Sequence, residues 1–106
     1  MDSWVEAARE AEVPEDEGFF VEVEGQRIAL FRAEGQIWAI DDTCPHTGDG
    51  QLSQGFLEGA VIECPLHQAC FDVRTGKMLE GPATSDVRSY PVQVEAGAVL
   101  IRLGEG

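Results

Sequence analysis

The apolar residues fall in short blocks rich in aromatic and β-branched side chains, separated by turn residues, rather than in the longer three-to-four-residue rhythm of helices. Phe19-Phe20-Val21-Glu22-Val23 reads as a strand stopped by Glu24-Gly25. Arg27-Ile28-Ala29-Leu30-Phe31 follows, then the turn Ala33-Glu34-Gly35-Gln36, then Ile37-Trp38-Ala39-Ile40. These three segments predict a meander. Near the C-terminus, Val87 to Val94 and Ala98 to Leu103 flank the turn Glu95-Ala96-Gly97 and predict a final hairpin. Pro91 has no N–H to donate and places the first of those strands at an edge or a bulge. Trp4 to Ala11 has no convincing apolar stripe and fits a short helix or a first strand equally well.

The section between meander and hairpin has another texture. It holds all three cysteines and both histidines, with short strands at Ala60-Val61-Ile62-Glu63 and at Ala69 to Val73. The latter runs into the hairpin turn Arg74-Thr75-Gly76-Lys77. The pattern as a whole predicts an all-β chain: a small antiparallel β-sandwich or barrel with a loop-rich subdomain inserted. Residues 1–106 form one domain, with a basal part over about 1–41 and 86–106 and the insertion over about 42–85.

A chain of 106 residues closes one core and leaves little room for a separate substrate-binding lobe. That favours a carrier, a binding module or a small subunit over a self-sufficient enzyme. Twenty acidic residues against seven basic ones give a net charge of −13, which speaks against nucleic acid and anionic membrane surfaces as partners. No apolar run approaches the about 20 residues of a membrane span. The opening Met1-Asp2-Ser3-Trp4 lacks a basic and then apolar signal region. The expected location is the cytoplasm, where spaced cysteines and histidines are more often metal ligands than disulfides.

Two motifs carry the chemistry. Cys44-Pro45-His46 and Cys64-Pro65-Leu66-His67 each combine one thiol with one imidazole, with seventeen residues between His46 and Cys64. Cys44, His46, Cys64 and His67 are therefore the candidate metal ligands. A purely structural role is the bland alternative, although imidazoles are poor core material. A Cys2His2 zinc staple is the stronger rival, but zinc fingers usually keep like ligands together, whereas each arm here mixes them.

The spacing resembles that of the Rieske family, CxH followed after sixteen or so residues by CxxH, in which two histidines replace two cysteines on one iron of a [2Fe–2S] cluster. The likeness extends through Leu52-Ser53, Phe71-Asp72, Thr75-Gly76 and Gly81-Pro82-Ala83, the last resembling the family's proline loop. The meander and final hairpin also match the family's basal sandwich in order and approximate length. By that resemblance Cys44 and Cys64 hold the inner iron and His46 and His67 the outer, solvent-facing one. Two ferric ions, two sulfides and two thiolates make a neutral cluster, where four thiolates would make a doubly negative one, so an electron is added more easily.

Departures from the pattern locate the branch. Respiratory members carry an extra cysteine in each loop, where this chain has Asp49 and Leu66. They also place a serine and a tyrosine whose hydroxyls bond to sulfur, where this chain has Ala69 and Phe71. Both differences point to the low-potential ferredoxins of bacterial aromatic-ring dioxygenase systems. Gln68 replaces the glycine usual after the second histidine, which implies an adjusted loop. Cys70 is read as a small structural side chain beside Phe71. The resemblance implies a monomeric, soluble electron carrier, not itself an enzyme. Its partners would be a flavin-containing NAD(P)H reductase and a terminal Rieske non-haem iron oxygenase, met through the His46–His67 tip. The alternatives are a small Rieske-like subunit of a nitrite reductase and, in a different class, a zinc-stapled interaction domain.

Overall fold

The computed structural model describes residues 4–43, 51–65, 69–80 and 85–103. The strands are β1 (Trp4–Arg9), β2 (Phe19–Val23), β3 (Gln26–Ala33), β4 (Gln36–Asp41), β5 (Phe56–Glu58), β6 (Val61–Glu63), β7 (Cys70–Asp72), β8 (Met78–Glu80), β9 (Ser89–Tyr90), β10 (Val92–Glu95) and β11 (Ala98–Arg102). They form three antiparallel sheets, ordered β1-β11-β10, β2-β3-β4-β9 and β5-β6-β7-β8. The all-β expectation holds. Trp4 to Ala11 resolves into β1 followed by a 3-10 turn at Glu10–Glu12.

The central sheet explains the layering. Ile28, Ala29, Leu30 and Phe31 of β3 are all 0% exposed, so both faces of this strand are covered. Successive side chains of a strand point to opposite faces. Ile28 and Leu30 accordingly pack with Ala8, Val99 and Ile101 from the β1-β11-β10 sheet. Ala29, Phe31 and Ala33 pack with Ile62, Phe71 and Val73 from and beside the β5–β8 sheet. The meander is thus sandwiched between two outer sheets. Burying Phe31 and Phe71 contributes about 1.5–3 kcal/mol each.

The turns follow from their glycines. Glu24-Gly25, Glu34-Gly35 and Ala96-Gly97 all have positive φ at both residues, and each joins strands in direct register, as in Val23↔Gln26, Ala33↔Gln36 and Glu95↔Ala98. Such two-residue turns match the right-handed twist of the strands they connect.

One sequence expectation is corrected. Val87 to Val94 is not a single strand: β9 pairs with β4 in the central sheet, while β10 pairs with β11 in an outer one. Pro91 stands between them, and without an N–H it lets the ladder end there and the chain cross to the next layer. Two further strands, β5 and β8, complete the third sheet beyond the two expected there.

Candidate functional site

The third sheet organises the site. Its pairing runs Phe56↔Glu63, Glu63↔Cys70 and Cys70↔Glu80, a single row across all four strands. At this row the chain enters β5 from the 3-10 turn Leu52–Gln54, leaves β6 towards Cys64, returns at Cys70 and leaves β8 at Glu80. The three segments that carry the sequence-predicted chemistry, 44–50, 66–68 and 81–84, therefore attach at one end of one sheet. Cys44, His46 and His67 lie in those segments, outside the described residues, as do Pro82, Leu66 and Gln68.

Each segment is closed at its base. Thr43 bridges to Gln51 around the first. Around the second, the Cys64 N–H donates to the Ala69 carbonyl at 2.7 Å. Around the third, the Met78 N–H donates to Asp86 Oδ1 at 2.8 Å. The Val87 N–H then reaches the Gly76 carbonyl at 2.8 Å. Gly76 has φ +81°, and a Cβ there would lie 2.1 Å from the Val87 carbonyl oxygen, so both the turn and the close approach need glycine. Gly55 is equally confined: a Cβ would lie 2.1 Å from the carbonyl oxygen of Glu63, the residue before Cys64.

Among the candidate ligands Cys64 is described directly. It is fully buried, in one core cluster with Ile62, Ala69 and Phe71, and forms no disulfide. A thiolate in that place, screened from water, suits the inner iron of a cluster, and the soft sulfur donors with imidazoles in the pattern suit iron–sulfur chemistry. Ala69 and Phe71 are also fully buried, so neither offers a hydroxyl to sulfur. Among the described residues no group of three or more His, Cys, Asp or Glu could hold a further metal ion.

Cys70 is in the strand the sequence suggested, but its side chain is on the outward face, opposite Phe71. Partial burial pushes its thiol up, and the carboxylates of Glu63 and Glu80, its two cross-strand neighbours, push it further. A thiol held protonated is a poor ligand and a poor nucleophile.

The acidic pair at the end of β4 is the feature that sequence reading missed. Asp41 Oδ1 accepts from the Tyr90 hydroxyl at 2.5 Å, and Asp41 Oδ2 accepts from the Arg88 N–H at 3.4 Å. Burial raises the Tyr90 phenol well above its usual value, with the Asp41 bond adding to the rise. Asp42 is fully buried, and Oδ1 accepts from the Ser53 N–H at 2.7 Å. The available signal was an acidic doublet directly after an apolar strand and one residue short of Cys44.

Comparison with known proteins adds the family context. The model of the Rieske [2Fe–2S] domain matches residues 3–91. The ferredoxin component of a naphthalene 1,2-dioxygenase system from Pseudomonas aeruginosa is 46% identical over 102 residues, covering 96% of this chain and 97% of that protein. A ferredoxin of Sphingomonas yanoikuyae B1 superposes with a TM-score of 0.90 at 29% identity, covering 96% of this chain and all of the other. A chain in the complex of reduced oxygenase and oxidized ferredoxin in carbazole 1,9a-dioxygenase superposes with a TM-score of 0.87 at 31% identity, covering 97% of this chain and 95% of that one.

Proposed function

The chain belongs to the Rieske [2Fe–2S] domain family, and from that premise we propose that it ferries single electrons from a flavin-containing NAD(P)H reductase to a terminal Rieske non-haem iron oxygenase of an aromatic-ring dioxygenase system, with Cys44, His46, Cys64 and His67 as the cluster ligands. The observation that carries this reading is the row Phe56–Glu63–Cys70–Glu80, from which all three motif-bearing segments depart at one end of the sheet. The zinc-stapled alternative falls with the family assignment. A nitrite reductase small subunit is disfavoured because all four ligand-type residues are present.

When bound, the cluster supplies a reversible one-electron couple at its histidine-held iron. The chain's own part is to hold the ligands and keep water from the thiolates. Cys64 does so from a fully buried position, fixed by its backbone bond to Ala69. His46 and His67 are the ligands through which the electron would pass to a partner. Pro45 precedes His46, Leu66 and Gln68 flank His67, and Pro82 lies in the third segment, all of them uncharged, so the contact expected there is apolar and backbone-mediated. No helix among the described residues is long and apolar enough to cross a membrane.

Attraction at a distance comes from the net charge of −13, which draws the protein to basic surfaces on both partners. The screening length falls from about 30 Å at 0.01 M salt to about 8 Å at 0.15 M. Stopped-flow reduction by a cognate reductase should therefore slow across that interval, and Leu66→Glu should slow it further at every salt concentration. A rate that is flat or rises with salt removes the steering role. Unchanged kinetics in Leu66→Glu move the docking face elsewhere.

A further inference from the structure

We infer that Asp42 is a positioning residue for the cluster: from a buried site it holds together the two ends of the segment that bears Cys44 and His46. The inference rests on the ligand reading above and concerns a residue that need not touch iron. Asp42 is the last residue but one before Cys44, and it is 0% exposed. Its N–H donates to the Arg27 carbonyl at 3.0 Å, which anchors it to the central sheet. Its own carbonyl accepts from the Leu52 N–H at 2.6 Å. Its carboxylate Oδ1 accepts from the Ser53 N–H at 2.7 Å.

Leu52 and Ser53 are the first two residues of the 3-10 turn on the far side of segment 44–50, and the N–H groups at the start of such a turn have no partner within it. The side chain of the residue in the cap position, Gln51, supplies no bond. Asp42 supplies both acceptors instead, from the other end of the segment. A cap is ordinarily local, joining residues two or three apart. This one joins residues eleven apart and so closes the neck of the first ligand arm.

The placement is costly in isolation, which argues for a purpose. Asp42 Oδ2 and Ser53 Oγ are both buried and have no hydrogen-bond partner among the described residues. A buried acceptor left unmet costs free energy that an apolar side chain would not. Such a violation of local preference is expected where function fixes the geometry.

The test compares Asp42→Ala with Asp42→Asn in the cluster-loaded protein, because asparagine keeps the Oδ1-type acceptor and alanine removes it. Release of iron to an excess of chelator, the electron paramagnetic resonance g values of the reduced protein, and the thermal unfolding of the cluster-free protein are read side by side. Loss of the side-chain hydrogen bond that closes the arm predicts iron release about tenfold faster in Asp42→Ala. The same variant should show broadened or shifted g values, and asparagine should restore both to within about twofold of the parent rate. Alanine releasing iron at the parent rate with unchanged g values overturns the inference, and so does asparagine releasing it as fast as alanine. If Asp42→Ala lowers cluster-free stability too far to be loaded, Asp42→Asn alone decides: about tenfold faster release despite the retained acceptor overturns the role. Cys44→Ser separates this from the reading beneath it, since a native spectrum there removes Cys44 as a ligand while leaving the Asp42 bonds untouched.

Discussion

Replacing Cys44, His46, Cys64 or His67 by alanine should abolish or cripple cluster binding, while Cys70→Ala should leave it intact. The expected effect is the largest available to single substitutions in this chain, because a cluster held by four protein ligands does not survive the loss of one unchanged. Cys64 lies in the core beside Ala69 and Phe71, where its thiolate is shielded from water. Cys70 lies one strand away on the outward face, its thiol kept protonated by partial burial and by the flanking Glu63 and Glu80 carboxylates. Visible absorbance and iron content of the five purified variants check the division. Cluster loss in Cys70→Ala, with the other four tolerated, would reverse the ligand assignment.

The reduction potential should lie near about −150 mV, the lower end of the Rieske range and far below respiratory members. Adding an electron places negative charge on the cluster sulfurs, and hydrogen bonds to sulfur favour that state. Ala69 and Phe71, both fully buried, supply none. Ala69→Ser and Phe71→Tyr together should raise the potential. A hydrogen bond to a charged acceptor is worth about 1.5 kcal/mol net at the low end, and for a one-electron couple that corresponds to about 65 mV per bond. Part of the gain is offset in stability, since hydroxyls enter an apolar core. Protein-film voltammetry of the parent and the double variant measures both values. A parent potential well above zero would mean that backbone N–H donors outweigh the missing hydroxyls.

Much of this was legible in the residues, and the reasons are specific. The run Ile28-Ala29-Leu30-Phe31 has no polar partner positions because β3 is covered on both faces, so it stands out as a strand at once. The Glu-Gly and Ala-Gly pairs mark tight hairpins because glycine tolerates the positive φ such turns require. The two mixed Cys–His arms were equally plain, since no packing role calls for that spacing. β5 and β8 escaped notice because three residues are too few to show a two-residue period. The split of Val87–Val94 was half visible: Pro91 signalled an interruption, but only the tertiary arrangement decides that the chain changes sheets there. Asp42 was hidden for a different reason. An acidic residue in an acidic chain reads as solvated surface, and its burial depends on the Arg27 and Ser53 backbone groups that the fold brings to it from distant positions.

The central claim, an electron-carrying [2Fe–2S] cluster held by two thiolates and two imidazoles, is tested most directly by electron paramagnetic resonance of the dithionite-reduced protein, taken with its iron and acid-labile sulfide content. The account predicts about two irons and two sulfides per chain and a rhombic signal with the low average g of histidine-ligated clusters. A colourless protein holding one zinc, or an iron–sulfur signal with the higher average g of four-cysteine ligation, would contradict it.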